Sequence, residues 1–322
     1  MLVAGTSATC AQSAPASNAN KLAGNFPTKP IRLLVSGVGG AGDFAGRLLA
    51  ADLTQRLGQQ VVVDNRPGGV TPGEILAKAQ PDGYTLMMVG FVIWLSPFMR
   101  DQVPFDPVRD FAPVSLAISS PNVLVVHPSL RVKSVPELIA LAKQKPGALN
   151  YATSGVGNSN HIAGELFRSM AGVDLVRVNY RGASLALTDV VSGRVELMFA
   201  TANASQPHVN AGRLIALGVT SSQPSTVAPG LPTVAAAGGP AMAGYESAAT
   251  IGILARAGTP PAVVNLLHRE IARYMRTPEA KERLLKAGIE AVGNTPAEFA
   301  AIIRDDMTIK GKVIREAGIR MD

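Results

Sequence analysis

The chain has 322 residues, 47% hydrophobic and 16% charged, with 30 Lys and Arg against 23 Asp and Glu for a net charge of +7. That much apolar material excludes wholesale disorder, and the length suits about two domains. A single cysteine, Cys10, excludes a disulfide framework and a Cys-rich metal site. No apolar run approaches the ~18 residues needed to span a bilayer.

Residues 1–20 carry no charge; Lys21 is the first charged residue. With the small-residue pattern Ala14-Pro15-Ala16, residues 1–25 are expected to be a truncated signal-peptide remnant or a disordered lead-in. From Pro30 the pattern alternates. A strand is expected over 31–35, then the glycine-rich turn Ser36-Gly37-Val38-Gly39-Gly40-Ala41-Gly42, then a helix over 44–57 with Phe44, Leu48, Leu49 and Leu53 on one face. Strands follow over 61–63 and 84–89. The run 84–95 reads as strand-like, interrupted at Gly90. Ser134-Val135-Pro136-Glu137 starts a helix. The plan then repeats, with a strand over 149–153, a second turn Ser154-Gly155-Val156-Gly157-Asn158-Ser159, a helix over 161–170, and strands over 175–178, 195–199 and 215–219. Pro-led helix starts at Thr259, Thr277 and Thr295 close the chain. Continuous apolar strands between helices imply parallel sheet covered on both faces.

Two glycine turns, each between a strand and a helix, point to anion binding. The first amides of a helix lack intrahelical partners and carry partial positive charge, and glycine lets a ligand approach the backbone. Ser154, Ser159 and Asn158 add side-chain donors. The basic residues are scattered, which suits a small anion better than nucleic acid. A competing reading exists. Gly37-x-Gly39-x-x-Gly42, with Asp64 ending the next strand, has the layout of a dinucleotide fingerprint, so an NAD(P)-dependent oxidoreductase is the alternative. Against it, Asp43 would set a carboxylate beside the pyrophosphate. His161 follows Ser154, but no nucleophile elbow accompanies it, so no catalytic residue is assigned. The four histidines show no metal-ligand spacing. Arg66 and Arg181 end equivalent strands, and Arg181, with Tyr180 beside it, could reach an anion. Trp94, the only tryptophan, is either core or pocket wall.

Further motifs stand in a defined order: Pro27-Thr28-Lys29-Pro30-Ile31-Arg32, Gly39-Gly40-Ala41-Gly42-Asp43, Val61-Val62-Val63-Asp64-Asn65-Arg66-Pro67-Gly68, Pro81-Asp82-Gly83-Tyr84-Thr85-Leu86, Asn122-Val123-Leu124-Val125-Val126-His127-Pro128 and Leu149-Asn150-Tyr151-Ala152-Thr153-Ser154-Gly155. From about residue 26 to 322 the chain resembles the solute-binding receptors of tripartite tricarboxylate transporters, the Bug-type or TctC-type proteins. The resemblance implies an α/β, two-domain periplasmic binding protein of type II (Venus-flytrap), with two parallel-rich sheets flanked by helices and a central cleft. Domain 1 would comprise 26–120 and 221–322, including the C-terminal helices, and domain 2 would comprise 121–220. The implied function is capture of a small organic anion, a carboxylate, and delivery to membrane permease subunits. It implies no enzyme activity, cofactor, metal or nucleic acid, a periplasmic location and, for a hinged receptor, a monomer. The carboxylate would be gripped by Gly39, Gly40, Ala41, Gly42 and Asp43 and by Ser154, Gly155, Gly157, Asn158, Ser159 and His161, with Tyr180, Arg181, Thr201 and Trp94 around it. Where the family carries a polar segment after the third strand, this chain has Phe91-Val92-Ile93-Trp94, which suggests a ligand with a less polar body than a hydroxylated acid.

Overall fold

A computed structural model describes residues 26–66 and 70–321. The expected signal remnant at 1–25 and the Pro67-Gly68-Gly69 segment lie outside the described residues. In chain order the elements are β1 (Ile31–Val35), α1 (Ala41–Leu57), β2 (Val61–Asn65), α2 (Thr71–Ala77), β3 (Thr85–Gly90), α3 (Val92–Met99), β4 (Phe111–Val126), α4 (Val135–Gln144), β5 (Leu149–Thr153), α5 (Ser159–Ala171), β6 (Leu175–Asn179), α6 (Ala183–Val191), β7 (Leu197–Thr201), α7 (Ala202–Asn210), β8 (Ile215–Val219), α8 (Val234–Ala237), β9 (Ala248–Arg256), α9 (Pro261–Met275), α10 (Pro278–Lys286), β10 (Glu290–Ala291) and α11 (Pro296–Glu316).

The strand order is β2-β1-β3-β9-β4-β7-β5-β6, with β8 and β10 each added to β4. Strands β1, β2 and β3 are parallel, as are β5, β6 and β7. The 16-residue β4 joins the two groups. Its first part, up to Pro121, pairs antiparallel with β9. From Asn122 onward it pairs with β7 and, from Val123, with β8. The fold is thus a two-domain type II α/β architecture whose sheet halves share one strand.

Each half has its own core. In the first, Ile31, Leu33 and Val35 pack with Leu49 and Leu53 of α1 and Leu267 and Ile271 of α9. In the second, Leu124, Val126, Leu197 and Phe199 pack with Leu166 and Phe167 of α5. Full burial of one such side chain stabilises by about 1.5–3 kcal/mol. Residues 221–322 are expected with the first domain, but Val234, Met242 and Tyr245 pack in the second core, and the Tyr245 hydroxyl donates to the Ala163 carbonyl at 2.9 Å. The return to the first half therefore comes nearer Ser247. Thr220 ties the two crossings: its hydroxyl accepts from the Asn122 amide and donates to the Ser247 carbonyl, each at 2.8 Å. Helix α11 opens with a full capping box at Thr295 and Glu298. It reaches both halves, placing Phe299 and Ile303 beside Trp94 and Val313 in the second core.

The strand-like run ends at Gly90, and Val92–Met99 is helical. Pro97 lacks the amide that would bond the Ile93 carbonyl, and the Ser96 hydroxyl takes that carbonyl at 2.8 Å instead. This local repair, invisible to apolar patterning, allows the helix.

Candidate ligand-binding site

The first glycine turn is shaped from within. Gly37 and Gly39 have φ of +75° and +80°, the left-handed region that glycine enters without strain. Asp43, in the first turn of α1, folds back so that Oδ2 accepts from the Gly39 amide at 2.9 Å. Its Oδ1 accepts from Asn65 Nδ2 and from Arg47 Nε, both at 2.9 Å. Asn65 Nδ2 also donates to the Gly37 carbonyl at 2.8 Å, and its Oδ1 accepts from Arg47 at 2.8 Å. The Gly39 amide first, and the Asn65 amide next, hold the Asp43 carboxyl below the usual carboxylate range. Asp43 therefore organises the turn, and its oxygens face the turn's own donors. No side chain caps α1 at Gly40, so its first-turn amides remain directed at whatever occupies the space before them.

That space is a cleft of about 410 Å³ lined by Gly39, Gly40, Ala41 and Phe44 from the first half, Thr201 and Asn203 from the second, Ser120 of β4, and Ala287 and Ile289 after α10. Of the residues expected to contact ligand, it brings Gly39, Gly40, Ala41 and Thr201 together. Gly42 turns inward; a Cβ there would lie 3.6 Å from Ile251.

The second turn sits elsewhere. A Cβ on Gly157 would lie 2.6 Å from the Met321 sulfur, and Val156 and Ile162 pack in the cluster of Trp94 and Phe299. Inside the turn, Ser154 Oγ accepts from Asn158 Nδ2 at 3.2 Å and Asn160 Nδ2 at 2.8 Å. Helix α5 is likewise uncapped by side chains at Asn158, leaving Ser159 at the head of a second set of free amides, with Gly155 just before it. The second turn is thus docked on α3 and the C-terminal segment, outside the lining of this cleft.

His161 is fully buried and structural: its Nδ1 accepts from the Gly157 amide at 3.0 Å. Beside it Tyr151 and Arg168 both hydrogen-bond Glu165, and Arg177 approaches the ring at 2.5 Å. Burial raises the Glu165 carboxyl, but His161 Nε2 at 3.7 Å, the Tyr151 hydrogen bond and the Arg168 charge outweigh it and bring it down to about 2.

Two further expectations are corrected by geometry. Trp94 is core: it is 1% exposed, packs edge-on against Phe299, and donates Nε1 to Asp306 at 2.9 Å. The apolar Phe91–Trp94 stretch thus builds a core and says nothing of the ligand's polarity. Tyr180 is committed to Asp189, donating at 2.8 Å, while Arg181 is exposed. The dinucleotide fingerprint loses its acidic residue as well. Asp64 is engaged by Arg32 at 2.5 Å and Arg66 at 3.0 Å, leaving no free carboxylate for a ribose.

Sequence spacing does not single out Asn65 as an organiser of the site, although it ends β2 beside the turn in the Asp64-Asn65-Arg66 motif. Ser120, Asn203, Ala287 and Ile289 come from segments that sequence spacing does not bring together.

The model of the family described as "Tripartite tricarboxylate transporter family receptor" matches residues 45–319. A protein from the tcbD-tcbE intergenic region of Pseudomonas sp. strain P51 is 36% identical over 90% of this chain and 87% of its own length. Protein BugT of Bordetella pertussis is 32% identical over 93% and 92%. Among solved structures, R. palustris Rpa4515 with adipate is 34% identical, with a TM-score of 0.72 over 92% of this chain and 99% of that one. MatC (Rpa3494) from Rhodopseudomonas palustris with bound malate is 25% identical, with a TM-score of 0.69 over 90% and 100%.

Proposed function

This chain belongs to the tripartite tricarboxylate transporter receptor family, and from that premise we propose that it captures a small organic carboxylate between its sheet halves and hands it to membrane permease subunits. It is a solute-binding receptor, not an enzyme. The observation that carries the ligand class is the uncapped N-terminus of α1, opening into a cleft lined from both halves. Such an end holds a carboxylate by main-chain amides without a lysine or arginine in the site. The net charge of +7 favours approach of an anion. Adipate and malate in the related structures set the first acids to try.

On this reading the domains are 26–121 with 248–321, and 122–247, hinged at the Pro121/Asn122 and Ser247/Ala248 crossings. The ligand stabilises the closed arrangement by its differential affinity for closed over open. The receptor works in the periplasm as a monomer, and no helix among the described residues is long and apolar enough to cross a membrane.

Calorimetric titration with mono-, di- and tricarboxylates, and with NADH as the control, tests this reading. Saturable one-to-one binding of an acid is expected. Binding of NADH with no acid bound would overturn it.

A further inference from the structure

Asn122 stands where β4 passes from one sheet half to the other. Its backbone is tethered on both sides: the amide donates to Thr220 Oγ1 at 2.8 Å, and the carbonyl accepts from the Thr220 amide at 2.9 Å. Its side chain is different. The residue is 1% exposed, and neither Nδ2 nor Oδ1 has a hydrogen-bond partner among the described residues. Buried amides are normally satisfied, so both atoms failing at one residue calls for an explanation.

The register shows where this side chain faces. Val126 pairs with Leu197, Leu124 with Phe199 and Asn122 with Thr201. The first two pairs lie together in the second core, so with a period of two Asn122 and Thr201 share that face. Ser120, two residues earlier on β4, and Thr201, directly opposite, both line the cleft at the head of α1. Asn122 is therefore flanked on its own face by two lining residues and lies beneath the cleft floor.

Resting on the receptor reading above, we propose that Asn122 is a specificity-determining residue that reads a second polar group of the bound ligand, its side-chain amide turning up to the cleft floor from the unpartnered position it holds here. An asparagine side chain offers two donors and one acceptor. A plain carboxylate satisfies Nδ2 only. Satisfying Oδ1 as well takes a donor next to the acceptor. The ligand class is thus an acid bearing a hydroxyl or N–H group beside a carboxylate or carbonyl oxygen, bound edge-to-edge by the amide while another carboxylate oxygen meets the α1 amides. The hydroxylated acids disfavoured on sequence by the Phe91–Trp94 segment become the favoured class.

The test titrates the full chain with matched pairs that differ by one hydroxyl: succinate and malate, glutarate and 2-hydroxyglutarate, phenylacetate and mandelate. The same pairs are run on Asn122→Leu and Asn122→Ala. For wild type, the hydroxylated member of a binding pair is expected to bind about tenfold tighter or more, because a site built to bond a hydroxyl rejects the analogue lacking it. In Asn122→Leu the preference is expected to shrink below about threefold, while the unliganded melting temperature stays level or rises, since replacing an unpartnered polar group by an apolar one of similar shape is neutral or stabilising. Asn122→Ala gives the same loss of preference if the leucine variant does not fold. Equal binding within every pair, or a preference that survives both substitutions, overturns the role of Asn122 and leaves the receptor reading standing. Failure of wild type to bind any acid overturns both.

Discussion

Replacing Lys310 by methionine isolates a buried charge, and its cost can be worked out beforehand. Lys310 Nζ lies 2.5 Å from Asp306 Oδ1, and the two side chains are 7% and 9% exposed. Asp306 Oδ2 accepts from Trp94 Nε1 at 2.9 Å. In Lys310→Met the carboxylate keeps only the indole, and breaking one partner of a buried pair typically costs about 3–5 kcal/mol. The double variant Asp306→Leu/Lys310→Met removes both charges but leaves the buried Trp94 Nε1–H without its acceptor, so it is expected about 1–3 kcal/mol below wild type and above Lys310→Met. Trp94 is the only tryptophan, so urea unfolding followed by its emission reports on this triad directly. With a urea slope of about 3 kcal/mol/M, the midpoint of Lys310→Met falls by about 1–1.7 M. A fall worth less than about 1 kcal/mol, or a double variant as weak as the single one, would show that the pair is not a desolvated ion pair. Trp94→Phe, followed by circular dichroism because it removes the only tryptophan, should lower the midpoint and leave acid affinity within about twofold; a larger affinity loss would return Trp94 to the ligand site.

Asp43→Asn keeps the side-chain shape but cannot accept from both the Gly39 amide and Asn65. At about 1.5–3 kcal/mol per charged hydrogen bond, a net loss of about 2 kcal/mol and weaker acid binding are expected in urea melts and titrations; an unchanged melt would remove Asp43 as the organiser of the turn. Glu165 titrates at about 2 instead of 4.5, so its contribution is fully present above about pH 4.5 and is lost as pH falls towards 2. One pKa unit is worth about 1.4 kcal/mol, which puts the contribution on the order of 3 kcal/mol. Glu165→Gln should flatten the acid limb of a stability–pH curve between those values, and an unaltered limb would contradict the assignment. Gly252→Ala sets a Cβ 2.1 Å from the Phe299 ring, which is fully buried; a cost of about 1–3 kcal/mol or more is expected by thermal melt, and a neutral substitution would show that the α11 contact yields.

The alternation of strands and helices was legible wherever a strand was continuous and apolar or a helix opened on a capping residue with proline, as at Ser134, Thr277 and Thr295. The run after Gly90 misled because apolar residues fill a buried helix and a buried strand alike, and the Ser96 hydroxyl that compensates for Pro97 leaves no periodic trace. Strand β4 was harder still. It serves two sheet halves, so neither half alone marks its extent. At the site, the first turn could be read from its glycines. The fate of Asp43 could be read only in part: Arg47 is its i,i+4 neighbour on α1, but Asn65 reaches it only through the β1–α1–β2 packing. Trp94 failed for a related reason: its indole partner, Asp306, lies on α11, far along the chain. The second turn shows the limit of analogy between repeated units, for the same strand–glycine–helix plan is occupied there by Met321 and Met99.

The most direct test of the account is a crystal structure of the chain with the acid that binds most tightly in titration. A carboxylate oxygen is expected within about 3 Å of the first-turn amides of α1, in the cleft shared by Gly39, Gly40, Ala41 and Thr201. An acid bound away from α1, or held by exposed side chains outside that cleft, would contradict it.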